Sequence, residues 1–153
     1  MQWSKITDII LIASIAVLGV FAILGFCQLV RRKSLKKVDK PLLAMLIPLV
    51  LMAITYFIFD KFLVLNIRPN GSGEPSFPST HTMVVATIFL LTAIILPNYI
   101  KSKTTRVIMD IVMLLFIALV SVGRVLANMH WVSDVVGGLI FAAIFTVIYY
   151  LIL

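Results

Sequence analysis

Cysteine and charge are what this sequence has least of. Of its 153 residues one is a cysteine, Cys27, and 12% are charged, with six acidic side chains in all. A lone cysteine inside an apolar run excludes an intrachain disulfide and a thiolate metal site, so Cys27 reads as a packing or lipid-facing residue. Soluble domains carry about 25% charged residues, and a chain with half that share cannot cover itself with a solvated surface. The acidic residues are scattered along the chain and form no carboxylate cluster, so neither a metal nor another cofactor is expected. Internal repeats and low-complexity tracts are absent as well.

Apolar sequence fills the space, at 62% of the residues. It falls into five runs, Ile9–Val30, Leu42–Phe59, His81–Leu96, Val107–Val122 and Val132–Leu153. A membrane crossing takes about 20 apolar residues, so residues 1–153 are read as a single integral-membrane domain with short loops and no soluble portion. Strands would leave backbone groups unpaired in hydrocarbon. The expected fold is therefore all-α, a multi-pass transmembrane helical bundle of five spans. The first run is too long for a signal-peptide core and lacks a following cleavage site, which makes it a retained helix. The third and fourth runs are short for a span and would be completed by interfacial residues such as Tyr99 or by local bilayer thinning.

The net charge of +7 gains meaning from where it lies. Six of the thirteen Lys and Arg fall in Arg31–Lys40, and Lys101, Lys103 and Arg106 form a second cluster. Basic loops stay in the cytoplasm, which places the N-terminus outside and the C-terminus inside. The first basic loop also suits the headgroups of anionic membrane lipids. With no aromatic platform and no nucleic-acid-binding fold beside these charges, nucleic acid is excluded as a partner. The connections that then face outward, around Asp60–Thr80 and Gly123–Trp131, carry both histidines of the chain to one side.

In order, the outward residues read Lys61-x6-Arg68-Pro69, Pro78-Ser79-Thr80-His81 and Gly123-Arg124-x5-His130-x3-Asp134. This three-part pattern resembles the signature of the type 2 phosphatidic acid phosphatase (PAP2) superfamily. Thr80 stands where the middle motif usually has Gly, and Gly123 where the last usually has Ser. Ser121 is close enough in sequence to serve as a partial substitute. The usual member has six spans; with five runs here, the expectation is that the first is the one without a counterpart, which agrees with an outside N-terminus.

The residues also fit phosphate chemistry on their own terms. Moving a phosphoryl group needs positive charge around its oxygens, a nucleophile in line and an acid at the leaving oxygen. Lys61, Arg68 and Arg124 supply the charge, the arginines with a planar fork that matches two phosphate oxygens. Ser79 and Thr80 open a helix whose N-terminus favours an anion. His81 at the same mouth is placed to donate a proton. His130 and Asp134, four apart, share a face if the last helix starts nearby, and a carboxylate on one ring nitrogen would free the other to attack phosphorus.

The resemblance implies the same roles: a covalent phosphohistidine on His130, hydrolysed by water that His81 activates, without a metal. It implies a lipid phosphate or diphosphate as substrate at the outer leaflet, either undecaprenyl diphosphate or a phosphatidyl phosphate such as phosphatidylglycerophosphate or phosphatidic acid. A lipid phosphotransferase would use the same intermediate. A transporter or proton-conducting protein is the reading from another class, but its broken helices in matched halves have no counterpart beyond Pro48.

Overall fold

The computed structural model describes residues 2–153. Its helices are α1 (Gln2–Arg32), α2 (Lys40–Ala44), α3 (Leu46–Lys61), α4 (Thr80–Tyr99), α5 (Lys103–Leu126) and α6 (Val132–Ile152), with a 3-10 turn at Leu35–Lys37. Taking α2 and α3 as one crossing, five segments are long and apolar enough to span a membrane. Among the described residues there is no strand, only an isolated bridge between Ile67 and Pro75.

The short third and fourth runs prove to be full-length helices. Hydropathy stops at the last apolar residue, whereas α4 continues through Asn98 and Tyr99, and α5 starts at Lys103, where the Ser102 hydroxyl accepts from the Thr105 N–H and caps the helix. The second span is interrupted at Met45. Pro48 has no N–H for the Ala44 carbonyl and its ring crowds that group, which accounts for the break.

α4 is the centre of the bundle. Met83, Val85, Ala86, Ile88, Leu91 and Ile95 are buried on it, and two of its buried threonines return their hydroxyls to the helix, Thr87 to the Met83 carbonyl and Thr92 to that of Ile88. The outer helices do the reverse, leaving Ile12, Phe26, Leu115 and Leu151 exposed around the perimeter. An apolar belt of that extent fits hydrocarbon and not water.

Lipid offers little drive for helices to associate beyond close packing and hydrogen bonds, and the contacts nearest the histidines are made by glycine. A Cβ on Gly138 of α6 would stand 2.9 Å from the Ser79 carbonyl oxygen and 3.2 Å from the Met83 nitrogen, both main-chain atoms with little room to yield. Gly137 gives its space to the Phe77 ring. At the opposite end Asp39 accepts from Gln28, Arg32 and Tyr99. The Gln28 and Arg32 bonds, in that order, hold its carboxyl below the ordinary carboxylate value, so this knot contributes stability at neutral pH that is lost as acid protonates Asp39.

Candidate active site

The α3–α4 connection is a narrow hairpin. Arg68 N–H donates to the Glu74 carbonyl at 3.0 Å and Ser76 N–H to the Asn66 carbonyl at 2.9 Å, while Gly71 and Gly73 turn the chain at φ +76°. An Arg68–Glu74 ion pair of 2.5 Å closes it from the side chains. Composition alone suggests a loose Gly- and Pro-rich loop over Asn70–Pro75; the backbone pairing makes it a folded one.

This hairpin is fastened to the start of α6. Trp131 Nε1–H donates to the Ile67 carbonyl at 2.8 Å, and Asn66 Nδ2 donates to Asp134 Oδ1 at 2.6 Å. Asp134 is fully buried, and its other oxygen accepts from the Trp131 N–H at 2.9 Å, capping the helix.

His130, buried between α5 and α6, faces the hairpin. Its Nδ1 lies 2.8 Å from the Ser76 carbonyl oxygen. A carbonyl can only accept, so the proton is on Nδ1 and Nε2 carries a free lone pair. The nearest neighbour of Nε2 is Arg124 Nη2, at 3.5 Å. The spacing of His130 and Asp134 suggests a direct bond between them; instead Asp134 Oδ2 is 3.7 Å from Nδ1, within ion-pair range but too long for a hydrogen bond. The carboxylate is drawn away because Trp131 and Asn66 compete for it.

Burial, then the Arg124 guanidinium, push the His130 ring from its ordinary 6.5 to about 4, against the Ser76 carbonyl and Asp134, which favour the charged form. The imidazole is thus neutral at physiological pH.

Arg124, in the last turn of α5, is only 4% exposed. Its Nη1 lies 3.5 Å from Thr7 Oγ1 and 3.6 Å from Asp8 Oδ1. α1 comes this close because Gly123 has no side chain: a Cβ there would be 2.7 Å from Thr7 Cγ2. The hydroxyl that serves Arg124 is accordingly that of Thr7 on another helix, and the Ser121 hydroxyl, expected as the substitute, is buried without a partner. The Nε–H groups of Arg68 and Arg124 are also buried without a protein partner.

His81, at the mouth of α4, donates Nε2–H to Asp8 Oδ1 at 2.9 Å. A cleft of about 320 Å³ joins His81, Thr80, Arg68, Arg124 and His130. Beyond these polar groups it runs along Leu11 and Ile15 of α1, Tyr56 and Phe59 of α3 and Val84 of α4.

Three expected residues stand apart from that cleft wall: Asp134, which backs His130, and Lys61 and Ser79. Lys61 pairs with Asp60 at 2.8 Å and its side chain is 62% exposed; Asp60 lines the cleft, and the next residue is turned about 100° round the helix. Ser79 is buried with its hydroxyl on Thr82 and its N–H on the Asp134 carbonyl, a consequence of the tight seat against Gly138. Conversely, the motif pattern does not point to Asp8, Thr7, Asn66 or Ser76. A carboxylate inside an apolar helix is a signal for Asp8; a main-chain carbonyl leaves none for Ser76.

Among the described residues no group of three or more His, Cys, Asp or Glu side chains comes together. No curated protein matches the chain. Its fold matches the crystal structure of the first transmembrane PAP2 type phosphatidylglycerolphosphate phosphatase from Bacillus subtilis with a TM-score of 0.68 and 21% identity, over 99% of this chain and 73% of that one. The family model described as PAP2 superfamily matches residues 44–153, well over half of the sequence, and this multi-pass membrane chain belongs to that superfamily.

Proposed function

We propose that the protein hydrolyses a lipid phosphate through a phosphohistidine on His130. The observation that carries this reading is the state of that ring: its proton is held on Nδ1 by the Ser76 carbonyl, and its free Nε2 stands beside Arg124. The orphan Nε–H groups of Arg68 and Arg124 are donors in want of an anion, and a phosphate between them would satisfy both.

Nε2 then forms a bond to phosphorus as the ester P–O bond breaks, and the departing oxygen takes a proton from His81. The phosphorylated ring carries positive charge with its Nδ1–H still on Ser76, and Asp134, 3.7 Å away, stabilises that charge. Water next attacks phosphorus with His81 as base, and the P–N electron pair returns to Nε2. Thr80 borders the phosphate at the helix mouth, and Ser79 supports it from behind through its bond to Asp134. Lys61 acts at longer range, as an interfacial cation drawing the anionic headgroup in.

The apolar half of the cleft accommodates lipid chains. The substrate class we propose is a phosphatidyl phosphate, with phosphatidylglycerophosphate and phosphatidic acid foremost and undecaprenyl diphosphate as the diphosphate counterpart. Purified protein in detergent is expected to release inorganic phosphate from such lipids, to be inhibited by vanadate and to be indifferent to EDTA. Failure to release phosphate from any of them would remove the reading, and loss of activity in EDTA with recovery in Mg²⁺ would remove its metal-free mechanism.

We also propose that the cleft opens at the extracytoplasmic face, on the distribution of basic residues. In a Cys27→Ser background, Ser72→Cys at the exposed hairpin tip is expected to react with an impermeant thiol reagent on spheroplasts. Ser34→Cys is expected to stay protected until the membrane is opened. The reverse pattern would put the site on the inner leaflet.

A further inference from the structure

α1 lies before residues 44–153, which match the family model, yet it sends a carboxylate into the site. Asp8 is the single acidic residue of α1, and an ionised group in a membrane helix is costly unless it is paired. Its partners are both site residues: Oδ1 is 2.9 Å from His81 Nε2 and 3.6 Å from Arg124 Nη1. The approach is built rather than incidental, because Thr7, its neighbour, is fully buried against the bare backbone of Gly123.

We propose that Asp8 is the positioning residue of the proton-donating histidine, holding the His81 ring by its Nε2–H and leaving the other nitrogen to the substrate. This rests on the reading of His81 as the acid. Protonated His81 carries two N–H groups. One stays on Asp8 throughout. The other proton passes to the ester oxygen as its bond to phosphorus breaks and the His130 Nε2–P bond forms, and that ring nitrogen is left with a lone pair. In the second half the lone pair takes a proton from the attacking water as the O–P bond forms and the P–N bond breaks, so the ring returns to its starting state while its orientation never changes. Without the carboxylate the ring can turn, and proton delivery fails when the leaving group needs it most.

The test compares phosphatidic acid in mixed micelles, whose leaving group is an alkoxide, with p-nitrophenyl phosphate, whose leaving group is stable without a proton. Asp8→Ala is expected to lower kcat on the lipid about 10- to 100-fold and on the aryl ester by far less. KM for the lipid is expected to stay level or fall, since a negative charge beside Arg124 has gone. Asp8→Asn, which keeps an oxygen to accept Nε2–H, is expected to restore most of the lipid-to-aryl ratio. That ratio does not depend on how much enzyme is folded. Equal losses on both substrates would make Asp8 a mere anchor of α1, and a rise in kcat would make it a carboxylate that competes with phosphate for the site; either overturns the proposal. His81→Ala is the control: if it lacks the same lipid-selective loss, His81 is not the acid and the proposal falls with that role. A wild-type protein inactive on both substrates overturns the phosphatase reading and this inference with it.

Discussion

His130→Ala is expected to abolish turnover, by about 10⁴-fold or more, as removal of a covalent nucleophile does elsewhere. Of the other nitrogens lining the cleft, the guanidinium groups of Arg124 and Arg68 are delocalised and poor nucleophiles, and the free nitrogen of His81 is the one proposed to face the leaving oxygen while Asp8 holds Nε2. The fold is expected to survive. The substitution leaves the Ser76 carbonyl without its donor, a cost of about 1–3 kcal/mol, while Asp134 keeps its bonds to Trp131 and Asn66. Wild-type protein quenched in alkali during turnover is expected to carry phosphate on His130, and the variant none. A well-folded variant with wild-type turnover would sink the covalent mechanism.

The same ring sets an acid limit. With its value near 4 in place of the ordinary 6.5, Nε2 keeps its lone pair at moderately acid pH. Once the substrate's own titration is divided out, the acid limb of kcat/KM is expected near 4 and not near 6.5. Stability runs in the matching direction. Between those values the unfolded chain binds the proton and the folded chain does not, so the contribution of neutral His130 is whole above 6.5 and is lost as the pH falls toward 4.

Arg124→Lys is expected to cost about 100-fold in kcat/KM although the charge is kept. The guanidinium reaches Thr7 and Asp8 with Nη1 and His130 with Nη2, and its Nε–H is still unspent. An ammonium is a single point of charge and cannot face α1, the nucleophile and a phosphate oxygen together. The loss is expected in vanadate affinity as well as in turnover. Near-native values for both would reduce Arg124 to a structural tie between α1 and α5.

The residues that the sequence identifies most directly are those of the helix mouths and the two connections beside them. Arg68, His81, Arg124 and His130 are read as one cluster from the charge pattern and the motif order, and the structure lines a single cleft with them. Five spans are likewise legible, because a stretch of hydrocarbon thickness leaves few other choices. What escapes is whatever depends on a neighbouring helix. Thr7 takes the part expected of Ser121 because α1 packs on Gly123, and only packing reveals that. Asp134 is correctly placed beside His130 by its spacing, but spacing cannot weigh the rival donors, Trp131 N–H and Asn66, that claim its oxygens. Lys61 follows Asp60 in sequence, and which of two adjacent side chains faces the cleft is settled by helix phase. The helix ends at Tyr99 and Lys103 are lost to hydropathy because their residues are polar.

Surface loops ordinarily absorb insertions and deletions at little cost. The hairpin from Asn66 to Ser76 has no such latitude, because the group it delivers to His130 belongs to the main chain. Any amino acid at position 76 would bring a carbonyl, so substitution there leaves the imidazole's tautomer untouched. One residue more or fewer between Pro69 and Ser76 is expected to shift that oxygen off Nδ1 although the sequence would still read with every motif residue. In this protein the length of a loop decides which nitrogen of His130 holds the proton.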